Sequence, residues 1–301
     1  LYKHSKCIIF YKKNYTKSNF FINLSIYMSY SIDQFSKISG ISKLVLRSWE
    51  SRHNYLKAER TKSNIRIYSD QLLVQALKTQ LLLKSGHKIS KISLKSESEI
   101  EHLISDIKNM NSVQLSYDYF INKFIESGIN FDSDLFIRNY NECLSLFSIV
   151  DLYSHIMLPT FSKIGLFWLT NKMNPAQEHF LSEMFKQKIY ALIDTFKLKP
   201  KKSNWLLFLP PEEYHEIGLL FARLLLLKKG FNVIYLGTNV PLNALKKVSD
   251  IKSIDNLLFF SISNFSKSNL DETVNFINNH FKKSNKFLVT NTTCQINKLI
   301  K

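Results

Sequence analysis

The last third of the chain alternates short apolar runs with longer helix-like runs. The four apolar runs are Trp205–Leu209, Asn232–Leu236, Leu257–Ile262 and Phe287–Thr290. Strands that are joined by helical crossovers lie parallel and are covered on both faces, so this alternation predicts an open α/β sheet. No GxGxxG follows the first run, and a dinucleotide site is therefore not expected.

The first of these runs leads into a hexapeptide, Glu213-Tyr214-His215-Glu216-Ile217-Gly218, and then into a helix-like run. The hexapeptide thus lies where the chain turns from strand to helix, the edge at which open α/β sheets bind ligands. An imidazole at this edge is a potential metal ligand, and a neighbouring carboxylate can orient its second nitrogen. His215 is therefore a candidate ligand, supported by Glu213.

The segment from 29 to 96 has the pattern of a winged helix-turn-helix domain. Ser31 to Gly40 predicts a short capped helix that ends at a glycine, and Ser42 can cap a second helix from Lys43. Polar residues between two extended stretches then predict a β-hairpin wing. The second helix of such a unit enters the major groove, and the wing contacts phosphates.

Candidate DNA contacts are the cationic side chains of that helix and the polar side chains of the wing. They are Lys43, Arg47 and Arg52 on the helix, and Arg60, Lys62, Arg66 and Tyr68 on the wing. The net charge of +17, from 41 Lys and Arg against 24 Asp and Glu, favours an anionic polymer as partner. A biased genome composition would produce the same excess of lysine.

The middle of the chain, residues 112–199, predicts a bundle of four helices. Its helix-like runs are 116–127, 131–147, 151–169 and 175–198. Trp168 closes the third run, and the pair Glu178-His179 opens the fourth after nine intervening residues. A tight turn would bring these three side chains together at one end of the bundle. The polar stretch 95–101 predicts a linker before the bundle.

Several separate motifs resemble known families. The segments that resemble the winged helix of MerR-family transcription regulators are Leu46–His53, Leu56–Thr61, Ile65–Ser69 and Leu83–Ile92. The hexapeptide is similar to the D/E-x-H-x-x-G motif of cobalamin-binding domains, and Ser261-Ile262-Ser263 falls where that family has its SxL or SxT motif. The spacing from Trp168 to Glu178-His179 resembles the adenosylcobalamin-capping motif of light-sensing MerR-type repressors.

The resemblance implies a multidomain chain with three parts in a fixed order. These are a winged helix-turn-helix domain at 29–96, a four-helix bundle at 112–199 and a Rossmann-like cobalamin-binding domain at 203–301. It implies His215 as the lower axial ligand of cobalt. The other residues that it places around the cofactor are Trp168, Glu178, His179, Glu213, Gly218, Ser261 and Ser263.

The implied function is that of a cytoplasmic transcription regulator, a repressor that senses light or cobalamin through adenosylcobalamin. Its implied partners are double-stranded promoter DNA, the cofactor and further copies of the chain, as a dimer or tetramer. It would not be an enzyme, since the chemistry belongs to the cofactor. No apolar run is long enough to span a bilayer, so no membrane partner is expected.

Two departures from the family pattern support another interpretation. Thr290–Thr293 stand where the family has a glycine pair, and the chain stops at Lys301 before an expected last strand and helix, which predicts an exposed sheet edge. The alternative is a MerR-type DNA binder with a cobalamin-free C-terminal half that serves oligomerisation or partner contact. A corrinoid carrier for a methyltransferase is a third hypothesis, but it gives the winged helix no role.

Residues 1–28 are interpreted as a disordered extension, or as sequence upstream of a start at Met28.

Overall fold

The structure is a computed structural model that describes residues 29–108, 112–168, 175–196, 203–262 and 267–290. The predicted extension, Ser263 and the segment from 291 onward lie outside the described residues. The elements of the N-terminal part are β1 (Ser29–Ser31), α1 (Ile32–Ser39), α2 (Lys43–His53), β2 (Glu59–Arg60), β3 (Arg66–Ser69), α3 (Asp70–Lys84), α4 (Ile89–Ile92) and α5 (Glu97–Ile107).

Local sequence signals explain the helix-turn-helix. The Ser31 hydroxyl and the Gln34 side chain form a reciprocal capping box that begins α1. Gly40, with a φ of 72°, ends that helix in the left-handed conformation that glycine adopts readily. Ser42 accepts from the backbone of Val45 and begins α2. The predicted helices and wing are confirmed, and β1-β3-β2 form one antiparallel sheet.

The predicted linker at 95–101 is wrong, because most of it belongs to α5. Ser96 and Glu99 form a second capping box, which starts the helix. Ile100, Ile104 and Ile107 follow at helical spacing and are buried. The first turn of the helix is polar, and its buried apolar residues begin only at Ile100 and continue beyond the polar stretch. The polar stretch alone therefore did not indicate a helix.

The bundle follows as α6 (Val113–Asn130), α7 (Ser133–Leu146), α8 (Ile149–Asp151), a π-helical segment (Leu152–Met157), α9 (Leu158–Trp168) and α10 (Pro175–Asp194). The predicted four runs are confirmed, although the third is a composite with a π-helical middle. Phe124, Phe136 and Phe185 fill the centre, with ring centroids 4.8 to 5.1 Å apart. Such tilted aromatic contacts are favourable beyond their area of burial.

The C-terminal part is β4 (Asn204–Phe208), α11 (Glu216–Lys228), β5 (Asn232–Tyr235), α12 (Leu242–Ile251), β6 (Asn256–Ser261), α13 (Lys267–His280) and β7 (Asn285–Thr290). All pairings in this sheet are parallel, in the order β5-β4-β6-β7, which confirms the predicted Rossmann-like architecture. The strand order reverses between β4 and β6. The carboxyl ends of these two strands therefore form the crevice where such sheets bind ligands.

One hydrophobic core is shared by all three parts. It runs from Tyr30 and Leu77 in the N-terminal part, through Phe120 in the bundle, to Leu220 and Phe221 in α11. Separate clusters lie between the sheet and its own helices. The winged helix and the sheet are thus both packed on the bundle.

A group of four charged side chains reinforces the contact between α3, α5 and α6. Lys78 lies 2.9 Å from Glu126 and also pairs with Glu101. Lys123 contacts Glu101 at 2.9 Å and Glu126 at 3.1 Å. Since the two ammonium groups and two carboxylates alternate, each charge faces partners of opposite charge in a largely buried site.

Among the described helices, none combines the length and apolar character needed to cross a membrane.

Candidate ligand site and nucleic-acid interface

Glu213 is the centre of the site at the edge of the sheet. Its side chain is fully buried, and its Oε1 lies 2.7 Å from Nδ1 of His215. The same oxygen accepts the backbone N–H groups of Tyr214 and His215, at 2.9 and 3.0 Å. The other oxygen, Oε2, accepts the N–H of Ile262 at 2.7 Å. One carboxylate therefore fixes the loop after β4, the ring of His215 and the end of β6.

His215 offers an oriented imidazole. Its side chain is 61% exposed, while Nδ1 is directed at the Glu213 carboxylate and acts as the donor there. The hydrogen bond with Glu213 raises the pKa of His215, burial opposes the rise, and the charges of Glu213 and Glu178 add to it. The ring nitrogen directed away from Glu213 is Nε2, and that atom is the candidate ligand atom.

Glu178 brings the bundle to the same place. It lies in the first turn of α10, and its charge acts on His215, which belongs to the other domain. His179 follows it with a 69% exposed side chain, and its Nδ1 is 3.9 Å from Oε2 of Glu178. The two predicted halves of the site are thus linked by the electrostatic effect of Glu178 on His215. Trp168 is the last residue of α9, but its side chain and the connection 169–174 lie outside the described residues.

A cavity of about 280 Å³ opens beside this site. Pro210 after β4, Pro241 before α12, and Leu270 and Thr273 on α13 line it, together with Ser261 at the end of β6. Ser261 directly precedes Ile262, whose N–H is held by Glu213. The predicted Ser261 therefore lies at the cavity, next to the residue that Glu213 anchors.

Gly218 is placed by the structure at a close contact between domains. A Cβ on this residue would lie 2.6 Å from Cε2 of Phe260 and 3.4 Å from the hydroxyl of Tyr153. Tyr153 belongs to the π-helical segment of the bundle, and its ring stacks on Phe221 at 3.8 Å. The absence of a side chain at Gly218 lets α11 approach both the sheet and the bundle.

Glu216 is a site residue that the sequence did not reveal. Its carboxylate accepts from Nζ of Lys186 at 3.3 Å, from the Tyr190 hydroxyl at 3.1 Å and from the Tyr235 hydroxyl at 2.9 Å. Burial, followed by the charge of Glu216 and the hydrogen bond to it, raises the pKa of Tyr235. Through Glu216, the residue that follows His215, the contact joins α10 to β5. Its only signal in the sequence is that it is a second glutamate in the hexapeptide.

The predicted recognition helix carries three exposed cations. They are Lys43, Arg47 and Arg52, whereas Leu46 and Trp49 of the same helix are buried. Lys43 also pairs with Asp33 of α1. The exposure of these cations leaves them accessible to a partner, as the predicted DNA contacts require.

The wing is fastened to that helix by Glu50. Its carboxylate accepts from Nε of Arg66 at 2.6 Å and lies 3.6 Å from Nη2 of Arg60. Nη1 of Arg60 donates to Oδ1 of Asn64 in the hairpin turn, at 2.9 Å, and Lys62 is exposed in the same turn. Glu50, with a side chain only 13% exposed, therefore sets the position of the wing relative to α2.

Tyr68 requires a correction. Its side chain is 1% exposed and stacks on Phe35, with ring centroids 4.2 Å apart. A phosphate contact, as predicted for Tyr68, does not fit a ring enclosed in the core. The residue stabilises the winged helix from within, and the wing presents its cations without it.

Comparison with protein families identifies two parts of the chain. Residues 30–98 match the model described as MerR HTH family regulatory protein. Residues 121–193 match the model described as B12 binding domain. The chain joins a MerR-type helix-turn-helix domain to a B12-binding domain. The resemblance inferred from the sequence motifs is confirmed.

This MerR–B12 chain is homologous to two curated transcriptional repressors of Myxococcus xanthus. It is 24% identical to the HTH-type transcriptional repressor CarH over 216 residues, which cover 71% of this chain and 72% of CarH. It is 23% identical to the HTH-type transcriptional repressor CarA over 222 residues, covering 73% and 72% of the two chains. The match extends through more than one domain in both cases.

Solved structures agree with the fold of the bundle and sheet. The monomethylamine corrinoid protein of Methanosarcina barkeri aligns with a TM-score of 0.51 at 13% identity, over 60% of this chain and 89% of that chain. At this identity the likeness concerns the fold alone. It confirms a helical bundle followed by a parallel sheet.

Proposed function

We propose that this chain is a transcriptional repressor that binds promoter DNA and responds to adenosylcobalamin held between its bundle and its sheet. The observation that carries the proposal is the pair of Glu213 and His215, in which a buried carboxylate holds an exposed imidazole at 2.7 Å. The family matches and the repressor relatives support the same conclusion.

The residues at the sheet edge fit a corrinoid. His215 would coordinate cobalt through Nε2, because Nδ1 is directed at Glu213. The carboxylate would hold the ring and increase its basicity as a ligand. The cavity beside Ser261 would receive the nucleotide tail. When bound, adenosylcobalamin would supply a cobalt–carbon bond that visible light breaks.

The bundle would cover the opposite side of the ligand. Glu178 lies in the first turn of α10 and His179 follows it, and we propose that they enclose the adenosyl group together with Trp168. Glu216 holds α10 on the sheet domain, so a ligand that displaced α10 would strain this contact. The shared core would transmit the displacement to α3 and the winged helix. Darkness would favour a DNA-binding oligomer, a dimer or tetramer, and light would dissociate it.

A direct test combines spectroscopy with DNA binding. The purified full chain is incubated with adenosylcobalamin in darkness and passed over a gel-filtration column. We expect corrinoid absorbance to elute with the wild-type protein, and to be lost for His215→Ala. Illumination should reduce the retardation of a duplex selected from a random-sequence pool by the dark, cofactor-loaded protein.

The matched control is His102→Ala, an exposed histidine on α5 far along the chain from the hexapeptide. It should retain both the absorbance and the response to light. If no corrinoid elutes with the wild-type protein and His215→Ala leaves DNA affinity unchanged, the cobalamin-sensing proposal is lost.

A second candidate function is a DNA binder whose C-terminal half works without cobalamin. Two carboxylates favour it, since Glu212 and Glu272 line the cavity where a phosphate-bearing nucleotide tail would lie. Thr290, the first residue of the segment that lacks the family's glycine pair, ends β7. In this case the protein free of cofactor would bind the selected duplex tightly, with equal affinity in darkness and in light.

A further inference from the structure

Leu44 is an apolar side chain beside two exposed cations of the recognition helix, Lys43 and Arg47. It is 79% exposed and lies in the first turn of α2, two residues after the capping Ser42. Arg47 and Ser51 lie three and seven residues further on, and both are exposed, so they share a helix face with Leu44. The leucine is thus directed to the same side as Arg47 and away from Trp49.

Single exposed leucines are common on protein surfaces, and Leu94, 86% exposed beyond α4, is another in this chain. The neighbours of Leu44 distinguish it. Lys43 precedes it and Arg47 follows one turn later, so the surface around it attracts phosphates. An apolar partner protein would have to bury both of these cations, whereas a DNA groove would neutralise them.

The first turn of a recognition helix is the part that approaches base edges in the major groove. The apolar group presented at those edges is the C5-methyl of thymine. We propose that Leu44 is a specificity-determining residue that selects thymine through contact with this methyl group. The inference rests on the proposed DNA-binding function and goes beyond it by assigning one side chain to one base.

The surrounding contacts hold α2 in a fixed orientation for a contact between Leu44 and a thymine methyl group. The Ser42 hydroxyl accepts from the backbone of Val45 and caps the helix. Lys43 pairs with Asp33 of α1, and Glu50 ties the far end of α2 to the wing through Arg66. Because both ends of the helix are held, the position of Leu44 relative to the wing is constant.

The test uses DNA in which only the methyl group changes. The full-length wild-type chain first selects duplexes from a random-sequence pool at low salt. A selected duplex is then resynthesised with deoxyuridine in place of thymidine, one position at a time, which removes the methyl but retains the base pairing. Binding is measured for wild type, Leu44→Ala and the exposed control Leu94→Ala.

We expect one thymine in each half-site at which deoxyuridine weakens wild-type binding about fourfold, the value for burial of one methyl-sized group. Leu94→Ala should show the same loss. Leu44→Ala should bind thymidine and deoxyuridine duplexes equally, with unchanged dependence on salt. Alanine favours the helix and the site is exposed, so folding is retained.

Three outcomes overturn the inference. If no position is sensitive to deoxyuridine, or if Leu44→Ala keeps the wild-type sensitivity, Leu44 does not read thymine while the DNA-binding function stands. If the wild-type chain retards no duplex even at low salt, the DNA-binding function fails, and the inference fails with it.

Discussion

The buried carboxylate of Glu213 and the exposed imidazole of His215 meet at 2.7 Å. Glu213 has no exposure, whereas the side chain of His215 is 61% exposed. The buried carboxylate therefore fixes the orientation of a ring that is exposed at the surface. A ligand that binds this ring meets a side chain whose orientation is already fixed.

Glu213→Gln should weaken cobalamin binding about 10- to 100-fold, which is the usual effect of losing a carboxylate that orients a histidine ligand. The measurement is an absorbance titration with adenosylcobalamin in darkness. Asp250→Asn, an exposed change on α12, serves as control and should bind as wild type does. Equal affinity of Glu213→Gln and wild type would show that the pair does not support a ligand.

Gly218→Ala should destabilise the protein by about 1–3 kcal/mol, since its Cβ would lie 2.6 Å from the Phe260 ring. The control is Gly165→Ala on α9, where an added Cβ has no heavy atom within 4 Å. That change should stabilise the protein by about 0.5–1 kcal/mol. Urea unfolding of both variants gives the comparison, and a neutral Gly218→Ala would contradict the close contact.

Glu216→Ala should destabilise the joint between α10 and the sheet by about 2–3 kcal/mol, because Lys186 and Tyr235 lose a charged acceptor. Glu183 contacts the same lysine at 2.7 Å, but its side chain is 68% exposed. Glu183→Ala should therefore change the free energy of unfolding by less than about 1 kcal/mol. Thermal unfolding distinguishes the two, and similar effects would refute the assigned joint.

Acid should loosen the contact between α3, α5 and α6. Burial alone would raise the pKa of Glu101, but the hydrogen bonds from Lys78 and Lys123 and the charges of these lysines together outweigh it, and the pKa is lowered from 4.5. A lowered folded-state pKa adds stability that is complete above 4.5 and is lost as the pH falls through the folded value. The stabilities of wild type and Glu101→Gln should differ at neutral pH and converge in acid.

The check is urea unfolding across that range of pH. Glu97→Gln provides the control, because Glu97 is exposed in the first turn of the same helix and takes no part in the buried group. Its effect at neutral pH should be smaller. A Glu101→Gln effect that grew in acid would contradict the lowered pKa.

Lys62→Ala should weaken DNA binding by a similar factor for all sequences and reduce the salt dependence by about one unit of slope. Lys62 is exposed in the wing, where a phosphate contact positions the protein without reading bases. Tyr68→Phe should leave affinity unchanged, since its ring is in the core. Filter binding at several salt concentrations tests both, with Lys247→Ala on α12 as a control. A Tyr68→Phe loss equal to that of Lys62→Ala would restore the phosphate role.

The strands of the sheet and most helices could be predicted because their apolar residues repeat with a regular period. The strand Ser29–Ser31 could not, since it is only three residues long and forms by pairing with β3. The helix Glu97–Ile107 was missed because its first turn is polar. The π-helical segment has no signal in the sequence pattern.

The candidate site was predictable where a motif is local and not where partners are distant. Glu213 and His215 are two residues apart and could be recognised together. The donors to Glu216 come from positions 19 to 30 residues away, on α10 and β5, so its role requires the folded chain. Tyr68 was misjudged because an aromatic residue in a strand can face either side.

The shared core from Tyr30 to Leu224 has a consequence for how the molecule comes apart. Cleavage between the winged helix and the bundle would expose apolar surface on both fragments, for example at Leu77 and Phe120. Limited proteolysis should therefore release no stable winged-helix fragment. The winged helix and the bundle should unfold together, and a substitution in one should change the thermal stability of the other.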